Sequence, residues 1–186
     1  MEFDEVIEER HSVRNFSPKK PNWREIIEAI NAANEIPLAG NISTLRFILV
    51  DKSELISRLA DACQQDFVGK AQYVVVICSD NKQIERAYDE RGVMYSRQQA
   101  GAAAEQLILK LTDLGLSSCW IGAFVDDMIK NILRIPEDVV VEAVIPIGYE
   151  LGKRISKSRK PNLDNTLFFN QYKEKRMKPL KRPEAF

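Results

Sequence analysis

Apolar residues recur along this chain in two rhythms, one helical and one of short continuous runs. Phe3, Val6 and Ile7 predict a short first helix ending near Arg10. From His11 to Pro21 the chain is polar, and Pro18 and Pro21 exclude a helix interior. Asn22 is a good N-cap for a second helix whose apolar face is Ile26, Ile27, Ile30 and Ala33. A loop over 36–41 leads to a strand from Leu45 to Val50, and Ser53 then caps a third helix carrying Leu55, Ile56, Leu59 and Ala62. The β-branched run from Tyr73 to Cys78 reads as a buried strand, whereas Asn81 to Gly92 is polar and gives no clear element. The strongest helical stripe follows: Ala100, Ala103, Ala104, Leu107, Ile108, Leu111 and Leu114. Gly115 is its expected stop, because glycine takes the left-handed conformation at little steric cost. Leu116 to Ile121 then predicts a short buried strand, and Gly122-Ala123 a turn with exposed amides. Asp126 can cap another helix through Leu133, stopped by Pro136, and Val139 to Ile147 is a last strong strand.

Helices outnumber strands, so the pattern predicts an α+β fold around a sheet of four or five strands. The small first half of the central stripe would let another backbone approach closely. Two readings of that stretch stay open. It is a packed helix and nothing more, or it feeds a strand and turn that hold N–H donors at a fixed point in a pocket.

With 186 residues the chain suits one domain with a sizeable core. No apolar run is long enough to span a bilayer, and the acidic start Met1-Glu2-Phe3-Asp4-Glu5 lacks a signal-peptide pattern. Cys63, Cys78 and Cys119 fit neither a disulfide framework nor a zinc site, so a cytoplasmic location is expected. The net charge of zero hides an asymmetry: residues from Lys153 onward carry 11 Lys/Arg against 3 Asp/Glu, and the preceding segment is correspondingly acidic. Such a basic tail can reach nucleic acid, bind phosphate, lie on a second copy, or stay solvated. Its Leu167, Phe168, Phe169 and Tyr172 argue for docking. The expected division is 1–152 as the main domain and 153–186 as a basic extension that completes it and packs on a partner subunit.

Candidate chemistry is sparse. There is one histidine, no Cys-His cluster and no Gly-rich phosphate loop, so no metal is expected. His11 lies between Arg10 and Ser12, and a neighbouring positive charge disfavours its protonated form, making it a poor general base. Arg10-His-Ser-Val-Arg-Asn-Phe16 instead gathers two guanidinium groups and a hydroxyl, donors suited to phosphate. The same spacing serves equally well as solvated surface charge. A second basic cluster, Lys157-Ser-Arg-Lys160, has the same donor types.

Taken together, these stretches resemble the nitroreductase family of FMN-dependent oxidoreductases. The family's Arg-x-Ser-x-Arg-x-Phe signature stands complete at Arg10, Ser12, Arg14 and Phe16. Pro37-Leu-Ala-Gly-Asn41 looks like its Pro-Ser-Ala-x-Asn loop, and Leu114-Gly-Leu-Ser-Ser-Cys-Trp-Ile-Gly122 is similar to its Gly-Leu-Gly-x-x-Trp-Ile-Gly segment. Ile135-Pro-Glu-Asp138, Pro146-Ile-Gly-Tyr149 and Lys157-Ser-Arg159 are similar to later landmarks, so the likeness spans most of residues 3 to 161.

The resemblance implies a nitroreductase-like fold with a mainly antiparallel sheet, an intertwined homodimer, and FMN at its interface. Arg10, His11, Ser12 and Arg14 would bind the FMN phosphate and ribityl chain, joined by Lys157 and Arg159. Pro37, Leu38, Ala39 and Asn41 would approach the flavin from the second subunit. Gln99 would face the ribityl or ring edge, and the backbone amides of Gly122 and Ala123 would address its N5/O4 edge. NADH or NADPH would give a hydride to the flavin, and a nitroaromatic, quinone, flavin or other electron-poor acceptor would take the electrons. Alternatives are a same-fold flavoprotein for reductive dehalogenation, flavin fragmentation or sensing, and a basic-tailed nucleic-acid-binding protein. Three departures alter the pocket: Leu38 replaces the loop serine, Ser43-Thr-Leu45 stands where the family often has Gln-Pro-Trp, and a polar residue some members place before the flavin-edge glycine is absent.

Overall fold

In chain order the elements are α1 (Phe3–Glu9), α2 (Trp23–Ala33), β1 (Leu45–Val50), α3 (Ser53–Cys63), β2 (Tyr73–Asp80), α4 (Lys82–Tyr88), α5 (Glu90–Asp113), β3 (Ser117–Ser118), α6 (Asp126–Leu133), β4 (Val139–Gly148) and α7 (Leu163–Thr166). They come from a computed structural model that describes residues 1–152 and 162–175. Two compact units divide the chain, Met1–Lys153 and Arg154–Phe186. In the second, the Asn162 side chain caps α7 by accepting from the Asp164 amide at 3.1 Å, and Phe168 packs on Tyr172 with ring centroids 4.9 Å apart.

The sheet order is β1-β2-β4-β3, and every neighbouring pair is antiparallel. β2 and β4 lie in the middle, which explains the apolar runs Tyr73–Cys78 and 143–147: alternate residues enter two different cores. Tyr73, Val75 and Ile77 face α2 and α5 together with Ala143, Ile145 and Ile147. Val74, Val76 and Cys78 face α3 and α6 together with Val141 and Val144. A bulge between Ile77 and Cys78 shifts the β2–β4 register.

Several boundaries differ from the sequence expectation. The polar stretch 81–92 is mostly helical: α4 ends at Tyr88, and the backbone of Asp89 (φ 49, ψ −134) breaks the path before α5 begins. In α4 only Ile84 is buried, so the segment carries almost no apolar period. The predicted strand over 116–121 shortens to β3 plus a single bridge from Ile121 to Val144. Ser53 and Asp126 are first helical residues rather than caps, whereas the Asn22 side chain does accept from the Arg24 amide at 3.1 Å.

The small-residue stripe has its partner inside the same chain. Ala100, Ala103 and Ala104 are buried in one cluster with Ile26, Ala29 and Ala33 of α2. Small residues on both helices let the backbones approach, and the larger Leu107 and Leu111 fill the space beyond.

Candidate functional site

The segment after α1 runs along the free edge of the sheet. Ser12 bridges Ser118 in parallel, and the Val13 amide donates to the Ser118 carbonyl at 2.9 Å. From Ser12 to Arg14 strand-like alternation follows from this pairing, and Phe16 turns inward through a separate bridge. Val13 and Phe16 point inward and are buried, while Ser12 and Arg14 face solvent. Phe16 bridges Glu150 and packs so closely on Gly148 that a Cβ there would stand 3.0 Å from the ring. The phenylalanine of the Arg-x-Ser-x-Arg-x-Phe stretch is thus the anchor that holds the polar residues at the edge.

Those polar residues converge on the segment after α5. Ser12 and Arg14 both act on the Cys119 thiol; burial still pushes that thiol up, with the Arg14 charge and the Ser12 contact opposing the shift. The Arg14 guanidinium lies 5.9 Å from the Phe67 ring centroid. Arg10 reaches across to α5, with Nε 3.7 Å from Glu105 Oε1. The Trp120 indole, 42% exposed, covers α5 at Gly101, one turn before Glu105. Gly122 and Ala123 are exposed, and neither N–H has an acceptor among the described residues. Gly122 is four positions after Ser118, at most roughly 14 Å of chain. Phosphate-type donors and free amides therefore share one edge.

His11 is differently employed. Nδ1 lies 2.7 Å from the Glu9 carbonyl, and Nε2 lies 3.2 Å from each oxygen of Glu150. Its ring ties the N-terminal segment to the chain beyond β4, 139 residues away.

The loop carrying Pro37, Leu38, Ala39 and Asn41 sits elsewhere. Ala39–Asn41 forms a short 3-10 turn in which Gly40 (φ 57) and Asn41 (φ 58) are both left-handed. It packs on Tyr88 of α4. Beyond it, Gln99 accepts from the Thr44 amide at 3.4 Å and donates to the Ile42 carbonyl at 3.2 Å, so its amide is engaged within the protein. Gln99 and Glu105 are six positions apart on α5, about 120° around and roughly 9 Å along the axis. One chain therefore does not bring the loop and the arginine cluster together. Lys157 and Arg159 lie outside the described residues.

Two clefts among the described residues bear on these groups. One of 340 Å³ includes His11, Ser118 and Glu150 but not the arginines. Another of 640 Å³, between β1, α3 and α6, contains none of the candidate residues.

Sequence reasoning missed Glu105, Glu150, Trp120 and Thr44 as neighbours of the candidate residues. Only Trp120 carried a local signal, a large aromatic beside the small-residue turn.

This α+β architecture recurs in solved structures. A nitroreductase family protein from Clostridium novyi NT superposes with a TM-score of 0.74 at 26% identity, covering 94% of this chain and 97% of that one. The NADPH:FMN oxidoreductase from Vibrio harveyi, complexed with NAD+, gives 0.80 at 20% identity, covering 92% and 78%. The fold is the nitroreductase fold, and the class of protein it defines here is an oxidoreductase. The sequence profile of the Nitroreductase family matches residues 7–68 and 61–149. A protein of Archaeoglobus fulgidus named "Putative NADH dehydrogenase/NAD(P)H nitroreductase" is 30% identical over 149 residues, 77% of this chain and 83% of its own length. The chain belongs to the nitroreductase family.

Proposed function

We propose that this protein is an FMN-dependent oxidoreductase, working as a homodimer with a flavin at each of two interface sites. When bound, FMN supplies the redox chemistry, accepting hydride from NADH or NADPH and passing electrons to an electron-poor organic acceptor such as a nitroaromatic, quinone or flavin. The observation that carries the reading is the exposed edge where Ser12 and Arg14 lie beside Ser118, with Arg10 and the acceptor-free amides of Gly122 and Ala123 nearby. A phosphate needs convergent charged donors, and a reducible ring edge needs fixed N–H groups. Arg10, Ser12 and Arg14 are the candidates for the first, and the amides of Gly122 and Ala123 for the second.

In this reading Arg10, Ser12 and Arg14 grip the phosphate and ribityl chain, with Lys157 and Arg159 completing the grip. His11 contributes by holding its segment through Glu150. Pro37, Leu38, Ala39 and Asn41 close the site from the second subunit. Gly122 and Ala123 donate toward the N5/O4 edge. The second subunit has apolar surface to meet: Phe3 and Ile7 on one side of α1, Met94 on α5, and Trp120 are all large and exposed. The basic extension supplies further contacts to the acidic partner body.

The test is titration of the apo-protein with FMN and riboflavin, for wild type, Arg10→Ala, Arg159→Ala and the double variant. A hydrogen bond to a charged group contributes about 1.5–3 kcal/mol, so each change should weaken FMN roughly ten- to a hundredfold. Sharing one phosphate makes the double variant non-additive, and riboflavin, which has no phosphate, should be nearly indifferent. Equal losses for both ligands would mean that the arginines support the fold instead. Anaerobic bleaching of the yellow holoprotein by NADH or NADPH tests the reductase, and a flavin-loaded monomer in sedimentation at micromolar concentration would sink the dimer.

A further inference from the structure

A buried polar chain runs beneath the 37–44 loop. Gln99, 4% exposed, accepts at Oε1 from the Thr44 amide at 3.4 Å and donates from Nε2 to the Ile42 carbonyl at 3.2 Å. Ser96 gives its one hydroxyl hydrogen to Asn81 Oδ1 at 2.6 Å, so the Thr44 hydroxyl is the donor across the 2.9 Å that separates it from Ser96. The Thr44 carbonyl accepts from the Asp80 amide at 2.8 Å. One turn of α5 and the end of β2 therefore converge on two residues, Ile42 and Thr44, with Asn81 behind them holding Ser96. The loop's own bonds, Asn41 to Leu38 and Ile42 to Ala39, are internal and tie it to nothing else.

We propose that Gln99 is a positioning residue that presets the 37–42 loop and acts on the ligand through that loop. The proposal rests on the preceding reading, in which the loop closes a flavin site in the second subunit. Oε1 accepts from the Thr44 amide, and one of the two Nε2 hydrogens is held by Ile42. Both contacts are long, so the effect comes from the two meeting on one buried amide. Removing Gln99 orphans the buried Thr44 N–H and the part-buried Ile42 carbonyl at the foot of the loop. Thr44 matters for the same reason: it offers an N–H that a proline at this position would lack.

The experiment uses the full chain as wild type, Gln99→Met, Thr44→Val and the double variant, with Ser96→Ala as a milder change that keeps both Gln99 and Thr44. Hydrogen exchange of the peptide spanning 41–46 is measured in apo-protein, beside affinity for FMN and for riboflavin and the urea midpoint. Gln99→Met should speed exchange at the Thr44 amide and weaken both ligands by the same factor, roughly three- to tenfold for a lost neutral hydrogen bond. The matching factor separates it from the arginines, which act on FMN alone. The double variant should be no worse than Gln99→Met, since both changes break one network. Ser96→Ala should accelerate the same peptide to a smaller degree. Unchanged exchange in Gln99→Met overturns the proposal, and so does an additive double variant, which would mean that Gln99 touches the ligand directly. A wild type that binds neither flavin removes the flavin reading, and the exchange rates then decide the presetting by themselves.

Discussion

Gly40 gives the sharpest test of how the 37–42 loop is held. Its φ of 57 is left-handed, and a Cβ built there would stand 2.3 Å from the Tyr88 hydroxyl. Two costs follow in Gly40→Ala. An L-residue in that conformation costs roughly 1–2 kcal/mol. The Tyr88 ring must also move, and it now meets Tyr95 edge-on at 5.2 Å between centroids. Losing that contact costs about 0.5–1.5 kcal/mol. The expected total is about 1.5–3.5 kcal/mol, read from the urea midpoint, with weaker FMN binding alongside. Tyr88→Phe separates the two terms. Without the hydroxyl, the nearest ring carbons lie 3.2 Å from the new Cβ, a distance that small shifts relieve. In the Tyr88→Phe background, Gly40→Ala should therefore cost only the conformational part, about 1–2 kcal/mol. A cost that is the same in both backgrounds would show that the hydroxyl is not the steric limit. No cost in either would refute the left-handed turn itself.

Two further predictions concern the core. Burial pushes the Cys63 thiol up to about 11 and the Cys78 thiol up to about 12, the latter with help from the Glu142 charge, so all three cysteines should be inert and the alanine triple variant should still transfer hydride to its flavin. Both folded values lie above the unfolded one, so the native state keeps protons that the unfolded chain loses. That stability is complete below about pH 8.5 and falls as pH rises, by up to about 1.4 kcal/mol per pH unit for each thiol. Urea midpoints between pH 8 and 10.5 should therefore decline less steeply in Cys63→Ala/Cys78→Ala than in wild type, and identical slopes would contradict the assignment. Ala103→Leu, at a fully buried position in the α2–α5 cluster, should cost about 1–3 kcal/mol by overpacking while leaving the oligomeric state alone. Normal stability with a lost dimer would instead return the stripe to a subunit interface.

What the residue order determined by itself is whatever a local rhythm encodes. The run Tyr73–Cys78 announced a strand covered on both faces because a continuous apolar stretch has no solvent side, and it faces two cores. Asn22 announced a helix start because its side chain reaches an amide two residues on. The spacing of Arg10, Ser12 and Arg14 showed only a cluster of donors; Ser12 and Arg14 came to an exposed edge through the pairing of Ser12 with Ser118, which sends Val13 the other way. Tertiary structure alone decided the partners. The alanine stripe is the same pattern whether it meets α2 or a second copy, and only the packing assigned it to α2. The polar stretch 81–92 became helix because α4 and α5 pack on each other, not through any apolar period of its own. Gln99 meets Thr44 across 55 residues, and His11 meets Glu150 across 139. No local period or cap reports a contact at such separation, because it exists only once the sheet and its helices have closed around it.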